Sequence, residues 1–106
     1  MAAVILSVAI ICEVIGTTFL KYSDGFSRLW PSVGVVVGYG LSFVLLAQAL
    51  KFMEVSYVYA IWSGLGTALV TLIGITVLGE SLSLVKLGGI ALIIVGVVAL
   101  NLSGAE

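Results

Sequence analysis

The amino-acid sequence predicts an all-α membrane protein with four transmembrane helices per chain. Of its 106 residues, 62% are hydrophobic and only 8% are charged, whereas an average soluble domain is about 45–50% apolar and about 25% charged. Most of the charged residues fall in three short breaks that separate four long apolar stretches. Each stretch is close to the roughly 20 residues that a helix needs to cross a bilayer.

The predicted spans cover residues 3–20, 33–50, 55–78 and 84–102, within a single transmembrane domain over residues 1–106. The first span lacks a basic leader, and we expect it to be retained rather than removed as a signal peptide. The break after it holds Ser-Asp-Gly turn chemistry and Trp30, whose ring favours the headgroup region. Pro31 follows, a residue that suits the first turn of a helix.

The other two breaks are so short that consecutive spans must run antiparallel. Basic residues give this arrangement little preference for one orientation in the membrane. Lys21, Arg28 and Lys86 fall on one predicted side, and Lys51 falls on the other with the N-terminal amine. Because orientation follows the Lys/Arg difference between the two sides, we expect the chain to insert in both orientations.

Composition excludes several functional classes. The net charge of −1 and the absence of a basic cluster argue against nucleic-acid binding, which needs clustered Lys and Arg. There is no His and only one Cys, Cys12, so neither a Cys/His metal site nor an intrachain disulfide is expected. No cofactor motif is visible, and we predict neither a cofactor nor enzymatic activity.

Glu13 is the most informative residue of the sequence. The other four acidic residues fall in breaks or at the chain end, where we expect solvated charges: Asp24, Glu54, Glu80 and Glu106. Glu13 lies more than half way along the first span, where an acid costs roughly 2.5–3.5 kcal/mol and no Lys or Arg lies deep enough to neutralise it. A membrane-embedded carboxyl that holds a proton or a cation is typical of a proton-coupled transporter. The alternative is a protonated Glu hydrogen-bonded to a neighbouring helix.

Among the helical neighbours of Glu13 are a hydroxyl residue and small residues. Thr17, four residues on, faces the same side and is able to bond the carboxylate, although a bond to its own helix is the alternative. Small residues such as Gly16 leave room for a ligand. Aromatic rings attract organic cations by about 0.5–2 kcal/mol each, so we predict a lipophilic-cation site, against the alternative of simple aromatic packing. The further candidates are Tyr39 and Ser42 on the second span, and Tyr59, Trp62 and Ser63 on the third.

Glycines mark two further features. Gly64 and Gly66 soften the third span and predict a hinge there. On the last span, which carries no candidate chemistry, Gly89, Leu92 and Gly96 form one stripe. Small residues allow close helix approach in lipid, and we predict that this stripe is a dimer interface.

Together these features resemble the small multidrug resistance family of bacterial proton-coupled exporters, over nearly the whole chain. The matching segments are residues 13–18, Lys21, residues 25–32, Tyr39, Ser42, residues 59–64, and the glycines Gly89 and Gly96. The combination of Glu13 with residues 59–64 is the most specific part of this resemblance.

The resemblance implies an antiparallel, dual-topology homodimer in the bacterial inner membrane, in which two copies of Glu13 bind substrate and protons in mutual exclusion. It implies that Tyr39, Tyr59 and Trp62 line the binding chamber, and that Ser42 and Ser63 are polar positions nearby.

Within the family, Gly16 and the run Trp62-Ser63-Gly64 look like the multidrug branch rather than the guanidinium branch. We therefore predict export of hydrophobic or aromatic quaternary cations in exchange for protons. A guanidinium exporter is the alternative within the family, and an ion channel or a regulatory membrane subunit is more remote. One departure concerns residues 53–58, which lack the proline that family members usually carry there; it affects the loop before the third span.

Overall fold

The computed structural model describes residues 1–102, which form four helices: α1 (Ala2–Tyr22), α2 (Leu29–Ala49), α3 (Val55–Thr76) and α4 (Leu84–Leu102). All four are long and apolar enough to cross a membrane, and no strand occurs within the described residues. The prediction of an all-α membrane protein with four spans is thereby confirmed. Glu106 lies outside the described residues.

Three helix boundaries differ by two or more residues from their predicted positions. Helix α1 continues to Tyr22, two residues beyond its predicted end. Helix α2 begins at Leu29, four residues early, because Pro31 fits within a first turn in which Ser32 N–H donates to the Arg28 carbonyl at 3.2 Å. Helix α3 ends at Thr76, two residues early. There Gly79 adopts φ +73°, a left-handed conformation that terminates the helical path.

The chain divides into two compact units, residues 1–52 and residues from 53 onward. In the first unit, α1 and α2 pack closely as an antiparallel pair: Gly34 lies against the Phe19 ring, and Gly38 lies against the backbone of Gly16. A Cβ atom at Gly38 would approach Gly16 Cα to 2.9 Å, which is well inside normal carbon contact. Glycine at this position therefore sets the helix separation, as small residues commonly do in lipid.

The loop between α1 and α2 is a left-handed turn. Asp24, Gly25 and Phe26 all have positive φ, at 49°, 69° and 68°. Ser23 is fully buried; its hydroxyl donates to the Leu20 carbonyl at 2.7 Å and accepts from Phe26 N–H at 3.1 Å. Ser23 thus anchors the turn to the end of α1.

In the second unit, α4 lies antiparallel to α3. Gly64 receives the side chains of Ile93 and Val97, and nearer the start of α3 the Tyr57 hydroxyl donates to Asn101 Oδ1 at 3.3 Å. An open groove of about 270 Å³ runs along this helix pair, from Ala60 to Thr67 on α3 and from Ile93 to Leu100 on α4. None of the described residues of α4 is buried, so the outer face of this helix is available to lipid or to a partner.

Candidate functional site

Glu13 lies half-buried on α1 with one oxygen held in place. Thr17 Oγ1 donates to Glu13 Oε1 at 3.1 Å, so the hydroxyl bonds the carboxylate rather than its own helix backbone. Within residues 1–102, Oε2 accepts no hydrogen bond and the carboxylate has no basic partner. The carboxyl group therefore keeps one oxygen available for a ligand.

Tyr39 extends this network from α2. Its hydroxyl lies 2.7 Å from Thr17 Oγ1, which links the two helices through a Tyr39–Thr17–Glu13 chain. The phenol ring reaches this position because it rests on Gly16, where a Cβ atom would come within 2.7 Å of Tyr39 Cδ1. The expectation that Gly16 leaves room for a ligand is wrong for this conformation, since the Tyr39 ring fills that space.

Ser42 occupies a different position from the one that its polar character suggested. The residue is fully buried, and its hydroxyl donates to the Tyr39 carbonyl at 2.9 Å. This is a local bond of the kind that Ser commonly makes to its own helix. In this conformation Ser42 supports the backbone of Tyr39 and presents no exposed group. The Phe43 ring lies beside Tyr39, with centroids 6.4 Å apart.

The candidates on α3 belong to the second unit and are described within it. Tyr59 is 73% exposed, Trp62 is half-buried and Ser63 is exposed. Ser63 lines the groove beside α4 together with Thr67. Neither hydroxyl forms a hydrogen bond with any of the described residues. Sequence analysis missed Thr67, although its four-residue spacing from Ser63 places the two hydroxyls on one helical face.

The predicted hinge residues are buried, whereas the predicted dimer residues are exposed. Helix α3 is continuous through Gly64 and Gly66, both of which are buried; the hinge stays a prediction. The presence of glycine at position 64 is explained by the close approach of α4. Gly89, Leu92 and Gly96 are all exposed, and a Cβ atom at either glycine would meet nothing within 4 Å.

In chemical terms, the first unit offers a single carboxyl group inside a membrane span, oriented by the hydroxyls of Thr17 and Tyr39. A proton and an organic cation are both able to neutralise such a group. The second unit offers exposed aromatic and hydroxyl side chains on one span. These side chains suit the apolar body and the polar substituents of such a cation.

Comparison with known proteins assigns the family. The family described as Small Multidrug Resistance protein matches residues 1–93. The multidrug resistance protein Mmr of Mycobacterium tuberculosis is 48% identical over 99 residues, covering 92% of each chain. The multidrug transporter EmrE of Escherichia coli is 49% identical over 94 residues, covering 89% of this chain and 86% of EmrE.

A third relative is the quaternary ammonium compound-resistance protein QacG of a Staphylococcus species. It is 42% identical over 99 residues, which cover 93% of this chain and 92% of QacG. Similarity of this extent, over almost the whole length of each protein and through all four spans, identifies the family. The chain belongs to the small multidrug resistance family of multi-pass membrane proteins.

Proposed function

We propose that this protein is an antiporter that exports lipophilic organic cations in exchange for protons, with Glu13 as the group that both ligands share. The relatives are multidrug and quaternary ammonium resistance proteins by name, which supports a cationic, apolar substrate. The exchange mechanism itself rests on Glu13.

The single observation that carries the proposal is the uncompensated carboxylate of Glu13 within α1. A charged acid at membrane depth is costly and marks an ion or proton pathway by default. A structural role would be expected to satisfy both oxygens within the chain. Here Thr17 satisfies Oε1 and leaves Oε2 free among the described residues.

A quaternary ammonium ion has no N–H group, so it cannot donate a conventional hydrogen bond. Its recognition therefore depends on a negative charge and on the electron-rich faces of aromatic rings. Glu13 supplies the charge, and we assign the aromatic faces to Tyr39, Tyr59 and Trp62. Ser63 adds a hydroxyl that is free for polar substituents.

Exchange follows from competition for one charge. A carboxylate that has bound a proton is neutral and no longer attracts a cation, whereas a bound cation disfavours protonation. Each ligand therefore displaces the other, and a protein that changes the side to which Glu13 is open couples their movements. Thr17 and Tyr39 hold the carboxylate in one orientation through both steps.

We further propose that the working unit is an antiparallel homodimer with two copies of Glu13. Four helices provide too little surface to enclose a chamber and also seal it from lipid. The exposed stripe of Gly89, Leu92 and Gly96 on α4 is suited to close helix contact. The weak Lys/Arg difference between the two sides is compatible with insertion in both orientations.

The test is transport in proteoliposomes with an acidic lumen and an alkaline exterior. We expect the protein to accumulate tetraphenylphosphonium as protons leave, and to stop when the pH gradient is collapsed. Glu13→Gln should abolish accumulation while the variant remains folded by circular dichroism. Accumulation by Glu13→Gln would refute the mechanism. Guanidinium transport without tetraphenylphosphonium transport would point to the other branch of the family, and gradient-independent current would point to a channel.

A further inference from the structure

Two basic side chains flank the loop between α1 and α2 without a partner among the described residues. Lys21 lies in the last turn of α1 and Arg28 directly precedes α2, and both are exposed. Within the described residues, neither side chain forms an ion pair or a hydrogen bond. Lys86 differs, because its ammonium group donates to the Ser81 carbonyl at 2.7 Å.

Aromatic side chains show the membrane depth of this loop. Trp30 is 78% exposed and Phe26 is 60% exposed, and both lie where the two spans end. Exposed aromatic rings at the ends of spans sit at the level of the lipid headgroups. Lys21 and Arg28 are therefore at the depth of the lipid phosphates, where their free charges meet the membrane surface rather than bulk water.

The backbone of the loop adds unused donors. The N–H groups of Asp24 and Gly25 have no acceptor among the described residues, whereas Phe26 N–H is bonded to Ser23 Oγ at 3.1 Å. The carboxylate of Asp24 is the only negative charge in the loop, and it leaves an excess of one positive charge. An anion is the ligand that complements this combination of groups.

We propose that the loop between α1 and α2 binds the headgroup of an anionic phospholipid through Lys21 and Arg28, with Trp30 in contact with the same lipid. The Arg28 guanidinium suits a phosphate because its fork of donors pairs with two oxygens at once. Lys21 supplies a second, compact charge from the other end of the loop. A zwitterionic headgroup carries the same phosphate, but its own cation opposes these two residues.

Lipid binding by this loop is independent of the proposed transport mechanism. It uses no residue of the candidate cation site, and it requires only that the loop sits at the membrane surface. Near an anionic membrane surface, each Lys or Arg is expected to raise the binding constant for the anionic lipid roughly fivefold. Asp24 opposes this attraction.

The fluorescence of Trp30 reports on the lipids that lie next to this loop. The chain has two tryptophans, so Trp62→Phe leaves Trp30 as the only indole fluorophore. We would reconstitute this variant in bilayers containing a minor fraction of brominated phosphatidylglycerol or brominated phosphatidylcholine, with the bromines placed near the headgroup. The ratio of Trp30 quenching by the two lipids at equal mole fraction measures the preference of this loop for the anionic lipid.

We expect a preference of about fivefold or more. Lys21→Ala combined with Arg28→Ala should lower it to about one, and Asp24→Asn should raise it. Lys51→Ala is the matched control: it removes one exposed cation from another loop, where the backbone N–H groups of Lys51 and Phe52 are already bonded. The control should leave the preference unchanged. Circular dichroism establishes that each variant is folded, and Asp24→Asn carries the test if the double variant fails to fold.

Four results would overturn the proposal. A quenching ratio of one in the parent protein would show that the loop has no preference for the anionic lipid. A double variant that keeps the parent's preference excludes Lys21 and Arg28. An equal loss of preference in Lys51→Ala would show that the preference depends on the net charge of the protein and not on this loop. Finally, loss of the preference on addition of soluble glycerol phosphate would assign the loop to a free phosphate instead of a lipid.

Discussion

Replacing Gly38 with alanine should push α1 and α2 apart. The added Cβ atom would lie 2.9 Å from Gly16 Cα, 3.1 Å from Gly16 N and 3.0 Å from the Cys12 carbonyl oxygen. All three are backbone atoms, so no side-chain rotation relieves the contact. Carbon atoms pack at about 3.5–4.0 Å, and the helices must therefore separate by roughly 0.5–1 Å. Overpacking of this kind costs about 1–3 kcal/mol.

The same separation should disturb the candidate site. Tyr39 follows Gly38 directly, and its hydroxyl lies 2.7 Å from Thr17 Oγ1. A movement of roughly 0.5–1 Å would lengthen this contact beyond the usual limit of about 3.0 Å for O–H···O bonds. Thr17 would then hold Glu13 alone. We expect weaker tetraphenylphosphonium binding in addition to the loss of stability.

The assay is unfolding by a denaturing detergent in mixed micelles, followed by circular dichroism. Gly40→Ala is the matched control, because it lies on the same helix and a Cβ atom there meets nothing within 4 Å. Alanine is a better helix former than glycine by about 1 kcal/mol, so the control should be neutral or stabilised. Equal stability of Gly38→Ala and Gly40→Ala would refute the packing argument.

Three further predictions concern other parts of the chain. Thr17→Val should weaken cation binding by about three- to tenfold, because a hydrogen bond to the carboxylate is lost; unchanged affinity in a binding titration would contradict this role. Gly79→Ala should cost about 1 kcal/mol of unfolding free energy, since φ is +73° although space is open; Gly79→Asn should cost less, and equal costs would exclude the backbone explanation. Gly89→Leu should weaken dimerisation measured by cross-linking, whereas Gly88→Leu, off the predicted stripe, should not; equal effects would exclude the stripe as the interface.

The four spans were predictable because lipid imposes a simple composition on them. An apolar run of about 20 residues has few other structures available, and the polar breaks mark where each run ends. The start of α2 was less predictable. Trp30 and Pro31 suggest a break, yet Pro31 lacks only an N–H that the first helical turn does not use, and the helix extends back to Leu29.

The hydrogen bond from Thr17 to Glu13 was also within reach of the sequence, because both residues lie on one helix at a spacing of four. The position of Tyr39 could not be predicted from the sequence. It depends on which residues of α1 and α2 meet, and the ring lies on Gly16 only because Gly38 brings the helices close. The spacing of residues on one helical face does not show which residues of a neighbouring helix they will contact.

Ser42 shows a second limit. A hydroxyl on the same face as Tyr39 suggests a ligand contact, but a serine in a helix has a carbonyl of its own chain within reach at all times. Here the local bond forms, with the Tyr39 carbonyl at 2.9 Å. The choice between a local bond and a contact across helices depends on burial, which follows from packing rather than from sequence spacing.

The central claim is that a proton and an organic cation compete for Glu13. It is tested most directly by tetraphenylphosphonium binding to the detergent-solubilised protein as a function of pH, with Glu13→Gln as the control. We predict that affinity rises with pH as Glu13 loses its proton, and that the variant binds no cation at any pH. Binding that is independent of pH, or that persists in Glu13→Gln, would contradict the account.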